Sequence, residues 1–416
     1  MSLTGKIFST IPAKHSRRLR AASAIMLSGV LGLTACTRDY TVAYVYATAS
    51  SGSGTGSINE YAVSYQSGAL VPLSGSPVST GSNPIAVVAT SNGLFLYVVN
   101  QNDNNVQLFA VGSGGQLTSK GTYTTGTKPT ALALDAANKF LYVTYTYQPG
   151  YSAKNTGPGG VNIFPINSDN TLGTASNLNL GNGPAGVTTS NFGNYTYIID
   201  AEPAAGSASP YGVLLGFSQN TSTGALTPIG STKITTDTTG RTVATGYGAG
   251  TVPSAIAEDP RGRFVYITDR ATNQLYGNVV LAGGLIQPMQ NSPFSTGLLP
   301  VGLTVDPRGK YLYVSNYNAN TVSAYVIDQS TGATSGTATS AATLVGTGPT
   351  CLSIEPALGV YLYTSNNLDN TTSGLKLNAN NGTLAAAQNS PYPASGTPTC
   401  IVAVANGSHA TQVVNP

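Results

Sequence analysis

Apolar and polar residues alternate along most of the chain in short runs, and a polar elbow separates each run from the next. Residues 311–328, YLYVSNYNANTVSAYVID, show the unit: an alternating run through Tyr311 and Tyr313, a polar elbow, then a second alternating run. Similar stretches stand at 95–111 (FLYVVNQNDNNVQLFAV) and 264–280 (FVYITDRATNQLYGNVV). A period of two predicts strands with one face buried, and two such runs across a polar elbow predict a hairpin.

The hairpin recurs in register. A tyrosine inside an apolar triplet stands at Tyr44, Tyr97, Tyr142, Tyr197, Tyr266, Tyr313 and Tyr363. Upstream of all but the first lies a Gly-x-x-Pro turn, ending at Pro84, Pro129, Pro184, Pro253, Pro300 and Pro349. Five of these prolines precede their tyrosine by 13 residues; Pro349 precedes by 14 because its turn, EPALG, is one residue longer than DPRG. Pro398 stands at the same place with no tyrosine after it.

After each proline comes a strand whose third residue is small (Ala86, Ala131, Gly186, Ala255, Gly302, Cys351, Cys400) and whose fourth is aliphatic. A crowded axis on one face and an apolar neighbour on the other require that alternation. DPRG at 259 and 306 predicts a type I turn. The tyrosine strand, a third strand and an outer strand follow, which is the plan of a propeller blade. The expected fold is all-β: a seven-bladed β-propeller with four antiparallel strands per blade. The repeat is out of phase with the chain, so residues 398–405 are expected to complete the blade begun by 40–76 and to close the ring.

Only 8% of residues are charged, while 41% are hydrophobic, which excludes a disordered chain. The formal +3 misleads, because Lys6, Lys14, Arg17, Arg18 and Arg20 crowd the N-terminus; the remaining 13 basic and 15 acidic residues give −2. No basic face for nucleic acid is implied. The basic stretch HSRRLR precedes the apolar run AASAIMLSGVLGL, too short to span a bilayer as a helix, and the run ends in LTAC at Cys36. Residues 1–35 therefore read as a signal peptide, leaving one propeller domain over 36–416. LTAC resembles the bacterial lipobox, in which the cysteine is acylated. Lipidation at Cys36 would tie the protein to a membrane, and Thr37 after the cysteine implies the outer membrane rather than the inner. Ser16-Arg17-Arg18 resembles a twin-arginine signal, with a poor match in the residues that follow, so the export route stays open.

The LYV-(T/S/V)-N strands, joined by Gly-x-x-Pro and TGAL-type turns, resemble the YVTN/lactonase family of seven-bladed propellers over essentially the whole mature chain. The absence of Trp separates the chain from WD40 repeats and tryptophan-docked propellers. The resemblance implies either lactone hydrolysis, as in the 6-phosphogluconolactonase and muconate-lactonising members, or the role of a surface or periplasmic propeller. Lactonising members resemble one another in using a His with Glu and Arg partners in the funnel. Here the only histidine beyond the signal is His409, in the C-terminal tail, so a carboxylate would have to act as base.

Long insertions at 147–160, 200–210 and 235–252 belong to the third and fourth blades and should cluster on one side of one face. They nominate Asp200, Glu202, Arg241 and Tyr247, with Asp269 and Arg270 at the matching strand end of the next blade, as ligand-binding candidates. Glu202 and Arg241 are the catalytic candidates. Asp200 and Asp269 also fit a purely structural part, capping the hairpin elbow as Asn100, Asn316 and Asn366 would. Asp135, Asp259 and Asp306 belong to turns on the other face, and GYGAG at 246–250 lacks the strand–loop–helix context of a phosphate loop. Cys351 and Cys400 are expected to be two small buried residues rather than a disulfide, since positions related by the ring's rotation do not face each other. No metal or cofactor is expected. The expected protein is a monomeric, lipid-anchored, extracytoplasmic binding module taking a carbohydrate, lactone, peptide or protein ligand. The alternatives are a lactone hydrolase and a structural component of the envelope.

Overall fold

A computed structural model describes residues 40–52, 54–201, 211–336 and 342–407. The expectations that fall on Cys36, Glu202 and His409 lie outside these residues. The described strands from Thr41 onward form seven antiparallel blade sheets in a ring and one separate two-stranded hairpin. Among the described residues the helical structure is one three-residue turn, Ala282–Gly284.

Each blade opens with a strand on the channel side. In chain order these are Pro84–Ala89, Thr127–Leu134, Pro184–Thr189, Pro253–Glu258, Pro300–Val305 and Pro349–Ile354, opening blades two to seven. The strand Thr397–Ala405 returns to pair with Thr41–Ser50, the second strand of blade one, with Tyr46 opposite Val402. The ring thus closes by one C-terminal strand joining three N-terminal ones. Connections alternate between two faces. The turns from first to second strand and from third to fourth lie on one, here the turn face. The connections from second to third strand, and on to the next blade, lie on the other, the mouth face.

The tyrosines explain the repeat. The hydroxyl of Tyr97 donates to Asn170 O (2.7 Å), Tyr142 to Gly224 O (2.9 Å), Tyr197 to Gly284 O (3.0 Å), Tyr266 to Gly332 O (2.7 Å), Tyr313 to Gly382 O (3.1 Å) and Tyr363 to Gly68 O (2.8 Å). Each acceptor sits in the third-to-fourth turn of the next blade. The aromatic residue two positions earlier covers the same turn. A Cβ built on Gly382, whose φ is +75°, would lie 2.3 Å from the ring of Tyr311. Blade one corrects the reading of the sequence: its register equivalent is Tyr46, which donates to Gly115 O at 2.6 Å, while Tyr44 takes the position of Tyr311 over Gly115. AYVY offers two tyrosines in one strand, and only the cross-strand pairing separates them.

The core is accordingly divided among the blade boundaries. One cluster, for example, joins Tyr97, Val99 and Leu108 of blade two to Leu141 and Val143 of blade three. The outer strands are less regular than the sequence suggests. In blades one, five and seven two half-strands pair with one third strand, parted by a cis peptide at Ser76–Pro77, Ser292–Pro293 or Ser390–Pro391. The serine hydroxyl of each turn accepts an N–H from the third strand, as Ser292 Oγ does from Gly277 (3.0 Å). A broken outer strand offers no long edge for a second sheet to extend.

Candidate functional site

The seven first strands enclose an axial channel of about 380 Å³. Its wall is made chiefly by the second and third residues counted from each opening proline, such as Ala86, Ala131, Gly186, Ala255 and Gly302. Both positions reach the wall because the pairing slips by one residue after the opening proline, as between Pro184 and Gly186. Small residues are required by the approach of neighbouring backbones: a Cβ on Gly302 would stand 2.2 Å from Thr350 O of the next blade.

The same crowding produces a disulfide. Cys351 and Cys400 are bridged, with their Cα atoms 4.8 Å apart, contrary to the expectation from the sequence. Rotation-related side chains do diverge on a wide ring, but the first strands converge so closely at the axis that the two Cα atoms fall within bridging range.

Four threonine or serine hydroxyls line the wall, and all are committed. Thr130 Oγ1 donates to Pro184 O (2.7 Å), Ser254 Oγ to Pro300 O (2.7 Å) and Thr350 Oγ1 to Thr399 O (2.9 Å), and Thr399 Oγ1 donates to Pro84 O. Each bond ties one blade to the next. Among the described residues, no carboxylate, lysine, arginine or histidine lines this channel.

Polarity collects at the mouth, one residue beyond each hairpin elbow. The backbone N–H of Gln101, Ala201, Arg270, Tyr317 and Asn367 each donates to the residue preceding the opening proline of its own blade, so the five occupy equivalent places. From there Gln101 Nε2 reaches Pro129 O (3.2 Å) and Asn367 Nδ2 reaches Pro398 O (3.1 Å), both at the start of the next blade. Tyr317 lines the channel and donates to Asn367 Oδ1 at 3.2 Å. Arg270 is the charged member of this set and is exposed.

The elbow residues beneath are structural. Asp200, Asp269, Asn100, Asn316 and Asn366 sit opposite their opening prolines in the same register and are all buried. Asp269 accepts N–H bonds from Thr251 (2.7 Å), Val252 (3.0 Å) and Ala271 (3.0 Å) and the Thr272 hydroxyl (2.7 Å). Burial pushes its pKa up, but those four donors prevail and hold it below the ordinary carboxylate range.

The insertions at 147–160 and 235–252 meet on the mouth side of blades three and four, while residues 202–210 of the third insertion lie outside the described residues. The one from blade four contains a hairpin, Lys233–Thr236 with Thr242–Thr245, where a loop was expected. At its tip Arg241 donates to Thr156 O (3.0 Å) and lies 5.6 Å from the ring centroid of Tyr151, both in the blade-three insertion. Arg241 is thus engaged in joining two loops. Tyr247 lies away from the mouth: it pairs opposite Leu214 on the outer side of the blade, and its hydroxyl accepts the Ser231 N–H (3.2 Å).

A carboxylate that sequence reading passed over is Glu258, at the end of the first strand of blade five. Its equivalents are Ala89, Leu134, Thr189, Val305, Ile354 and Ala403, and an acid at a position otherwise without charge was the available signal. It lies against the turn of blade four, where the Asn191 N–H donates to Oε2 (3.2 Å), while Oε1 is buried without a hydrogen bond. Desolvation raises its pKa from 4.5 to about 7. Glu258 is on the turn side, at the opposite end of its strand from the mouth.

Comparison with known proteins agrees with this architecture. Residues 212–354 match the family profile described as lactonase, seven-bladed β-propeller. This segment, about a third of the chain, is similar to the lactonase propeller family. It carries both Arg270 and Glu258. Among solved structures, a protein of Bacteroides uniformis provisionally named a 6-phosphogluconolactonase is 20% identical, with a TM-score of 0.69 over 88% of this chain and 100% of its own. The periplasmic gluconolactonase of Pseudomonas aeruginosa is 18% identical, with a TM-score of 0.67 over 88% of this chain and 100% of its own. At such identities the likeness is one of fold. No curated protein matches the chain.

Proposed function

We propose that this protein is a lipid-anchored, extracytoplasmic propeller that binds a carbohydrate at the mouth of its channel. The observation that carries this reading is the commitment of every wall hydroxyl to inter-blade hydrogen bonds, in a channel with no acid or base among its described lining residues. Such a wall offers shape without proton transfer. The mouth offers amides (Gln101, Asn367) for hydroxyl groups, the face of Tyr317 for a sugar ring, and Arg270 for a carboxylate.

The test is a glycan array of neutral and uronic-acid sugars probed with the purified chain and with Arg270→Ala. Retention of acidic sugars should weaken about tenfold in the variant, or ~1.4 kcal/mol, while neutral sugars change less. Equal binding by both proteins, or retention of peptides alone, would contradict the reading.

Lactone hydrolysis is the second reading, favoured by the family match across residues 212–354. It would need a base at the mouth. The lone pairs of Asp269 are taken up by backbone and hydroxyl donors, and Glu258, the acid that titrates near neutrality, is on the other side of the ring.

A further inference from the structure

We infer that the turn face of the propeller lies on a membrane surface, so that the channel mouth points away from it. This rests on the reading of Cys36 as lipidated.

The chain enters the ring at Thr41, on the turn face, and leaves by the same face after Ala405. The two ends are tied there: the Asn406 N–H donates to Val42 O (3.0 Å) and Asn406 Nδ2 to Thr41 O (2.8 Å). Five residues take the chain from Cys36 to Thr41, a reach of about 18 Å even fully extended. A six-residue strand such as Tyr361–Asn366 already spans roughly 20 Å. A lipid on so short a leash cannot carry the mouth face round to the bilayer.

The turn face also has the surface for such a contact. Leu94 (51% exposed), Phe192 (52%), Leu281 (43%) and Tyr65 (48%) all stand in its connections, in blades two, four, five and one. Apolar and aromatic side chains of this kind settle at the lipid–water boundary. Charge adds little. Arg263 and Arg308 are paired with Asp259 (2.7 Å) and Asp306 (2.6 Å), and the exposed Lys139 and Lys310 are offset by the exposed Asp169 and Asp328. The contact is therefore apolar and should be indifferent to anionic lipid.

The absence of tryptophan makes this measurable, because one introduced indole is the sole reporter. The full chain is purified from bacterial membranes, its lipid on Cys36 is read by mass spectrometry, and it is reconstituted into phosphatidylcholine vesicles whose acyl chains carry a doxyl quencher. Phe192→Trp should be quenched at least twofold. Leu368→Trp, on the mouth face, and Leu344→Trp, at a blade edge, should change by less than a fifth; all three positions are exposed, so folding is not at stake. Quenching at Leu344→Trp or Leu368→Trp instead would overturn the orientation. So would quenching at Phe192→Trp that requires phosphatidylglycerol. An unmodified Cys36 would remove the premise, and the mass spectrum reports that separately, before any vesicle is made.

Discussion

Tyr313 and Gly382 show how single residues hold the ring. The phenol hydroxyl is buried and its pKa is raised by desolvation, so it stays a donor at any ordinary pH. Tyr313→Phe should cost about 1 kcal/mol, one net hydrogen bond, in urea denaturation. Gly382→Ala should cost more, about 2–4 kcal/mol, because a left-handed backbone and a clash with Tyr311 act together. Equal effects would mean that the hydrogen bond, not the close approach, sets the cost.

Glu258 supplies a pH dependence at the same scale. Its folded-state pKa, about 7, exceeds the ordinary 4.5, so the folded protein binds the extra proton. The contribution of Glu258 to stability is then greatest below 4.5 and falls as pH rises through 7, by up to about 3 kcal/mol before relaxation is allowed for. Burial raises the pKa of Glu60 and Glu355 too, and both act in the same direction. Melting temperatures between pH 4.5 and 7.5 should decline for the wild type and flatten for Glu258→Gln. A parallel decline in the variant would assign the slope to the other two carboxyls.

At the scale of elements, the blade count, the DPRG turns and the closing strand were legible because each writes a signal in one short stretch: Gly-x-x-Pro, period-two alternation, Asp before Pro-x-Gly. Glu355 is an instructive case. The longer EPALG turn is matched by a longer acid, whose carboxylate accepts the N–H groups of Leu358 and Val360 at 2.9 Å each. What escaped sequence reading depends on pairing between distant segments. Half-strands of two or three residues are too short to carry a period, the choice between Tyr44 and Tyr46 is made by the partner strand, and the disulfide follows from convergence at the axis. At the candidate site, the place of Arg270 at a strand end was legible, but the set formed by Gln101, Tyr317 and Asn367 was not, since those side chains share a place and not a residue type. The disulfide closes a long loop between blades seven and one, its cysteines 49 positions apart in sequence. Replacing both cysteines by alanine should lower stability by about 2–4 kcal/mol and abolish sensitivity to dithiothreitol. A reductant effect that persists in the double variant would contradict it.

For the whole molecule, the ring separates two tasks. Tyrosine, threonine and cysteine side chains bind blade to blade, while the two faces are left for contact with other molecules. Among its described residues the channel between the faces is lined without a carboxylate, lysine, arginine or histidine, the observation on which the proposed binding role rests. The most direct measurement is lactone hydrolysis by the purified chain, followed by pH-stat on glucono-δ-lactone and aliphatic lactones beside Arg270→Ala and Glu258→Gln. The expected result is no rate above buffer for any of the three proteins. Turnover by the wild type that disappears in either variant would contradict the binding-module reading and make the propeller a hydrolase.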